Sequence, residues 1–386
     1  MPKASSRSGP GRAWPFSPST ANAWGSGETA ATASASIPGA ICTPPASAPS
    51  GSSPESDHHR HQQFHREADM EAERIREWLM GPMVAVATPF KEDHSLDLDA
   101  LQENVRYMID HGIRTGQGSL LVAAAAGEHP TLNADERKAA MSAAVEAAQG
   151  EAPVLASIQH TDMRIILDLA RHASKVGLQG VQLGPPYYYP QTEGDARRLF
   201  QMVAEESDAS IMIYYTQRDR LNMSLDHLRR LADIPSARVL KWSASTDEEY
   251  RQGITALHND LVIIDNSGRY KLGHSLGARG FVTHVGGFWP EYTLRIWDLL
   301  ERGNYDGVED AVAAFEKPWS VWTGKVTAVT GGEGPFIKAT MEAVGLRAGP
   351  PRLPSTRPPE NLLVEIRELL SSSGVPPASD RAEATA

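Results

Sequence analysis

The chain has 386 residues, 41% of them hydrophobic, and a formal charge of −11 at pH 7, enough apolar material for one large core of barrel size. The acidic balance and the absence of a basic stripe argue against nucleic acid or an anionic membrane as partner. A single cysteine, Cys42, excludes an internal disulfide and any multi-cysteine metal site, which suits a reducing, cytoplasmic setting, and no apolar run reaches the roughly 18 residues that span a bilayer.

Residues 1–69 are rich in Ser, Ala, Pro and Gly, carry five basic and five acidic residues, and show neither helical nor alternating periodicity, so a disordered extension is expected. Its opening, MPKASSRSGPGRAWPFSPST, has arginine and serine without acid, a weak likeness to an organelle transit peptide, but lacks a secretory apolar core. The histidines at 58, 59, 61 and 65 could bind a metal, yet in such a segment they read as a solvated tail. Met70 opens MEAERIREWL, an amphipathic start directly ahead of the first strand, which fits a start codon placed too far upstream.

Beyond Met70, short apolar runs alternate with helical segments. The runs are MVAVAT (83–88), SLLVA (119–123), PVLAS (153–157), GVQLG (180–184), SIMIYY (210–215), RVLKW (238–242), LVIID (261–265) and GFVTH (280–284). Asp97 caps a helix through Leu98, Leu101, Val105 and Met108 that closes at Gly112; Asn133 with Glu136, and Ser245 with Glu248, read as capping pairs. Ile165, Leu169, Ala173 and Val176 keep a helical period. Strands that are continuously apolar and separated by helices are parallel and covered on both faces. The simplest closure is a (β/α)8 TIM barrel over 70–302, with a helical segment over 303–374 and a flexible tail over 375–386. A doubly wound sheet is the alternative, but no Gly-x-Gly-x-x-Gly turn follows the first strand.

A barrel does its chemistry at the C-terminal ends of its strands. Those ends carry Thr88, Glu128, Gln159, His160, Tyr187, Tyr188, Tyr214, Tyr215, Lys241, Asp265 and His284. A lysine desolvated there loses part of its affinity for a proton and becomes an amine nucleophile toward a carbonyl, with tyrosine hydroxyls to move protons. Taken singly, each residue also has a bland reading: a snorkelling lysine, packed tyrosines, core histidines. No metal-ligand spacing is evident, and the lysine chemistry requires no cofactor.

Several stretches together resemble the dihydrodipicolinate synthase and N-acetylneuraminate lyase family of class I aldolases: ATPF (87–90), AGEHPTLNADER (126–137), PPYYYP (185–190), the tyrosine of IMIYY, VLKWSAS, SLGARGFVT (275–283) and PFIKATMEAVGLRAGPPRLP. The resemblance spans about 81–374 and implies a lyase acting on a small carbonyl compound such as a 2-oxo acid. It implies Lys241 as the Schiff-base lysine, Tyr214 as the proton-transferring tyrosine, Tyr188 as the tyrosine of the Pro-Tyr-Tyr motif, and a homo-oligomer, dimer or tetramer. Ala125, Ala126, Gly127 and Glu128, together with Trp242, Asp265 and His284, are the expected substrate contacts.

Two departures bear on the substrate. Where the family pattern has two threonines, this chain has Ala125 and Ala126, and where it has an arginine after strand five, this chain has Asp219. Such a site should hold ordinary pyruvate poorly, because a polar site loses most of its discrimination when its hydrogen-bonding partners vanish. The bulk and polarity at Trp242, His129, His160, His284, Tyr215 and Trp289 point to a larger or partly aromatic carbonyl compound. C–C cleavage, condensation and dehydration all begin from the same iminium and stay open. Two rival readings are dihydrodipicolinate synthase itself, with the substrate carboxylate held by the amides of Gly127 and Glu128, and a catalytically retired barrel that binds a ligand or partner.

Overall fold

The computed structural model describes residues 72–188, 191–215 and 223–381. The expectations for 1–69, for its histidine cluster and for Asp219 lie outside the described residues. Eight parallel strands close into a barrel in chain order: β1 (Gly81–Ala85), β2 (Ser119–Val122), β3 (Val154–Ser157), β4 (Gly180–Leu183), β5 (Ser210–Tyr215), β6 (Val239–Trp242), β7 (Val262–Asp265) and β8 (Gly280–Thr283). The seam pairs Gly81 with Gly280. A Cβ at Gly280 would lie 2.2 Å from the Gly81 carbonyl oxygen, so β8 comes this close to β1 because Gly280 brings no side chain there.

A helix over 72–78 (α1) precedes the barrel, and α2 (Leu98–Asp110), α3 (Ala134–Ala148), α4 (Met163–Val176), α5 (Glu193–Glu206), α6 (Leu225–Leu231), α7 (Asp247–Leu257) and α8 (Tyr270–Ser275) alternate with the strands. The expected caps form at Asp97, whose side chain accepts from the Ala100 amide, and at Asn133 and Glu136, which make a reciprocal capping box. One cap shifts by a residue. The stretch STDEE contains two overlapping Ser/Thr-x-x-Glu patterns, and the structure uses Thr246, which accepts from the Glu249 amide, instead of Ser245 with Glu248.

Side chains alternate along each strand and so divide two cores. Ile211, Ile213, Tyr215, Leu240, Trp242 and Ile263 point outward under the helices. Met83, Leu121, Leu155, Met212, Val239, Val262 and Ile264 point inward and meet Ile75 and Leu79, which close the N-terminal end of the barrel. Nearer the C-terminal ends the interior turns polar at Ser157, Gln182 and Lys241, all buried.

After β8 come α9 (Pro290–Glu301), α10 (Tyr305–Ala311), a π-helical turn (Val312–Glu316), α11 (Lys317–Thr330), α12 (Gly334–Ala343), α13 (Glu360–Ser372) and α14 (Ala378–Arg381). They share an aromatic core with the β8–β1 side of the barrel, built on Phe281, Phe288, Phe315, Trp319 and Trp322. Within the segment expected as a flexible tail, Val375 is buried and the Ala378 amide donates to the Val344 carbonyl at 2.8 Å. No helix among the described residues is long and apolar enough to cross a membrane.

Candidate active site

A cavity of about 360 Å³ opens at the C-terminal ends of the strands, lined by the Ala124–Ala126 turn, Tyr214, Lys241, Ser243, Asn266, His284 and Glu333 among others. Lys241 is 6% exposed, and burial pulls its ammonium from the ordinary 10.5 down to about 8. Its Nζ donates to Gln182 Oε1 at 3.1 Å and sits 5.0 Å from the centre of the Tyr214 ring. Tyr214 is its register partner on β5, so alternation delivers both side chains to the interior together. Behind the lysine the amides continue inward: Gln182 Nε2 donates to Gln159 Oε1 at 3.1 Å.

Of the residues expected from sequence, Lys241, Tyr214, Ala125, Ala126 and His284 line one cavity. The others are placed differently, and strand alternation explains two of them. Trp242 follows Lys241 and therefore points outward, stacked on Tyr215 with centroids 5.3 Å apart and against Gly253, where a Cβ would lie 2.3 Å from the indole. Asp265 follows the inward Ile264 and also turns away; it accepts from Tyr250 Oη at 2.8 Å, Ser267 Oγ at 2.6 Å and the Arg269 amide at 2.8 Å, fastening the turn into α8. Burial raises the Asp265 pKa against those bonds.

Glu128 is likewise structural. Its carboxylate pairs with Lys338 of α12 at 2.7 Å and accepts the Arg352 amide at 3.0 Å. Its own amide donates to the Ala125 carbonyl at 3.0 Å, so one of the two amides expected to hold a substrate carboxylate is already engaged. Gly127 sits behind the turn, its carbonyl accepting from Thr88 Oγ1 at 2.8 Å. Tyr188 is 66% exposed and does not line the cavity.

The aromatic bulk that pointed to a partly aromatic substrate also faces elsewhere. Tyr215 and Trp242 stack on each other, and Trp289 packs on Tyr292 and Phe315 at 4.9 and 5.2 Å. His129 is held near a pKa of about 4 by burial and the Arg137 charge, and His160 Nδ1 accepts from the Asp162 amide at 2.8 Å. Only His284 of that set reaches the cavity lining.

Sequence reasoning missed Ser243, Asn266 and Glu333 in the cavity lining and Gln182 behind it, which accepts from Lys241. Gln182 hides inside an apolar strand run. Glu333 comes from the turn into α12 and lies with its Oε2 3.3 Å from His284 Nε2. The Lys338–Glu128 pair fastens α12 to the turn after β2, which carries Glu333 to the mouth. Among the described residues no group of three or more His, Cys, Asp or Glu side chains could hold a metal ion.

A closed parallel barrel with a buried, cavity-facing lysine at strand six defines a class of lysine-bearing (β/α)8 barrels. Within that class the chain belongs to the dihydrodipicolinate synthetase family, whose description matches residues 79–373. It is similar to an uncharacterised DapA-like lyase of Pyrococcus horikoshii, 27% identical over 75% of this chain and 99% of the relative. It is also similar to the 4-hydroxy-tetrahydrodipicolinate synthase of Acidothermus cellulolyticus, 27% identical over 78% of this chain and 94% of that enzyme. Among solved structures, dihydrodipicolinate synthase from Oceanobacillus iheyensis superposes with a TM-score of 0.70 at 23% identity, covering 79% of this chain and 99% of that one. CdNal from Clostridium difficile, solved with mannosamine, superposes with a TM-score of 0.69 at 17% identity, covering 76% and 99%. These sequence relatives are named as a lyase and a synthase, and a sialic acid aldolase of Ruminococcus gnavus shares the fold, with a TM-score of 0.66 at 16% identity over 76% of this chain and 96% of that one.

Proposed function

We propose that the protein is a lyase that forms a Schiff base through Lys241 with a compact carbonyl compound. The observation that carries this reading is a buried lysine facing a cavity, hydrogen-bonded to a neutral amide and deprotonating near pH 8. A neutral amine is the attacking form. It adds to the carbonyl carbon to give a carbinolamine, whose hydroxyl leaves as water after taking a proton, and an iminium remains. Tyr214, beside the amine on the next strand, is placed to pass that proton.

The second strand's turn presents methyl groups at Ala125 and Ala126, and the Glu128 amide is occupied. Both features disfavour a site built around a substrate carboxylate, so the synthase reading is weaker than that of a lyase for neutral or weakly polar carbonyl compounds. A homo-oligomer in which the exposed Tyr188 meets a neighbouring copy is part of the same proposal, carried by the family resemblance.

Trapping tests it. The protein is incubated with pyruvate, 2-oxobutanoate, hydroxyacetone or glyceraldehyde, reduced with borohydride and mapped by peptide mass spectrometry, with Lys241→Ala as control. The expected result is an adduct on Lys241 alone, with hydroxyacetone and glyceraldehyde labelling at least as well as pyruvate. Absence of any Lys241 adduct would leave a barrel that binds a ligand without covalent chemistry.

A further inference from the structure

The turn at 124–126 is alanine, so none of its side chains can carry a proton. Two strands round the barrel, past β1, the lining is different. His284 stands just past β8, and the C-terminal helices bring Glu333 to within 3.3 Å of its Nε2. Both line the cavity that contains Lys241 and Tyr214. The imidazole is wedged between rings, 5.8 Å from Phe336 and 6.5 Å from Trp319 by centroid, which fixes its edge toward the carboxylate. The Glu333 charge is also near enough to Lys241 to favour its protonated form against burial. A proton carrier thus flanks the lysine on each side: Tyr214 from β5, and the Glu333–His284 pair from beyond β8.

We propose that Glu333, oriented by His284, is the base that removes a proton from the carbon next to the iminium at Lys241. This rests on the Schiff-base reading above and deepens it by assigning the second proton transfer. In that step the carboxylate takes the proton, the C–H electron pair becomes the carbon–carbon double bond of an enamine, and the iminium nitrogen accepts the displaced pair. The reverse transfer returns the proton to carbon. Glu333 is the catalytic group and His284 a positioning residue, because only the carboxylate meets the substrate carbon.

The full-length protein and its Glu333→Gln, Glu333→Asp and His284→Asn variants are incubated in D₂O with pyruvate and with hydroxyacetone. Proton NMR follows exchange at the carbon beside the carbonyl, and borohydride trapping in parallel reports the Lys241 adduct. Glu333→Gln should keep trapping within about twofold while exchange falls at least about 100-fold, the size expected for loss of a general base. Glu333→Asp should recover part of the exchange, and His284→Asn should lose about tenfold, a loss that a packing role alone would not produce with trapping intact. Unchanged exchange in both Glu333→Gln and His284→Asn, with Lys241 still trapped, overturns the assignment. A wild-type protein in which neither probe labels Lys241 overturns this proposal and the Schiff-base reading together.

Discussion

Two lysines of this barrel are equally hidden and differently employed. Lys241 and Lys338 are 6% and 1% exposed, and burial draws each down to about 8. Lys338 lies where α12 meets the turn after β2. It has a carboxylate at 2.7 Å, the Pro350 carbonyl at 2.9 Å and the Phe90 ring at 3.9 Å. Almost none of it meets solvent. Lys241 has one neutral amide as hydrogen-bond partner, the charge of Glu333 in the same cavity, and open space beside the amine. Desolvation alone therefore does not distinguish a nucleophile from a structural cation; the counter-ion and the empty space beside the amine do.

Exchanging the two roles by mutation gives the largest effects. Lys241→Ala should abolish the borohydride adduct, a loss of at least about 10³-fold, and leave the urea midpoint unchanged or higher because a desolvated amine is gone. Lys338→Met should keep adduct formation in the folded fraction but strand Glu128 without its cation, costing about 3–5 kcal/mol by urea denaturation. A Lys338→Met protein as stable as the parent would break the comparison.

The pH profile sharpens it. Lys241 is protonated and inert below its folded pKa of about 8, so the rate of cyanoborohydride-trapped adduct formation should fall about tenfold per unit below that value and level off above it. At pH 8 an amine-acylating reagent small enough to enter the cavity should modify Lys241 and spare Lys338, read by peptide mapping. A smaller effect is expected for Gln182→Leu. Loss of its carbonyl removes a bond that favours the ammonium, so the inflection should drop by up to about one pH unit. Smallest for reactivity is Trp242→Phe: adduct yield should hold within about twofold, since the indole faces the helices, while stability falls by about 1–2 kcal/mol.

The barrel was legible because its strands are bounded apolar runs and its helices carry caps. Lys241 and Tyr214 were legible because each is a polar group at the end of such a run. The errors at Trp242 and Asp265 have one cause: the end of a strand supplies an inward and an outward side chain, and composition does not say which is which. The inward Lys241 fixes the answer for its strand, since the next residue must face out. Glu128 misled because a carboxylate beside an active turn and a carboxylate anchoring a distant helix look alike until Lys338 is seen. Glu333 was illegible, lying in the turn GGEGP between two C-terminal helices, where no local pattern connects it to a strand far earlier in the chain.

Ile75 of the helix over 72–78 and Leu79 just after it pack with Met83, Leu121, Met212 and Val239 to fill the far end of the barrel, which makes the chamber a blind alley. Under the lysine chemistry proposed above, traffic through it is first in, last out: the compound captured by Lys241 has to enter before any second reactant, and the fragment still bonded to nitrogen has to leave after the one released from it. Product-inhibition kinetics would display that order, with the last fragment out competing against the first compound in.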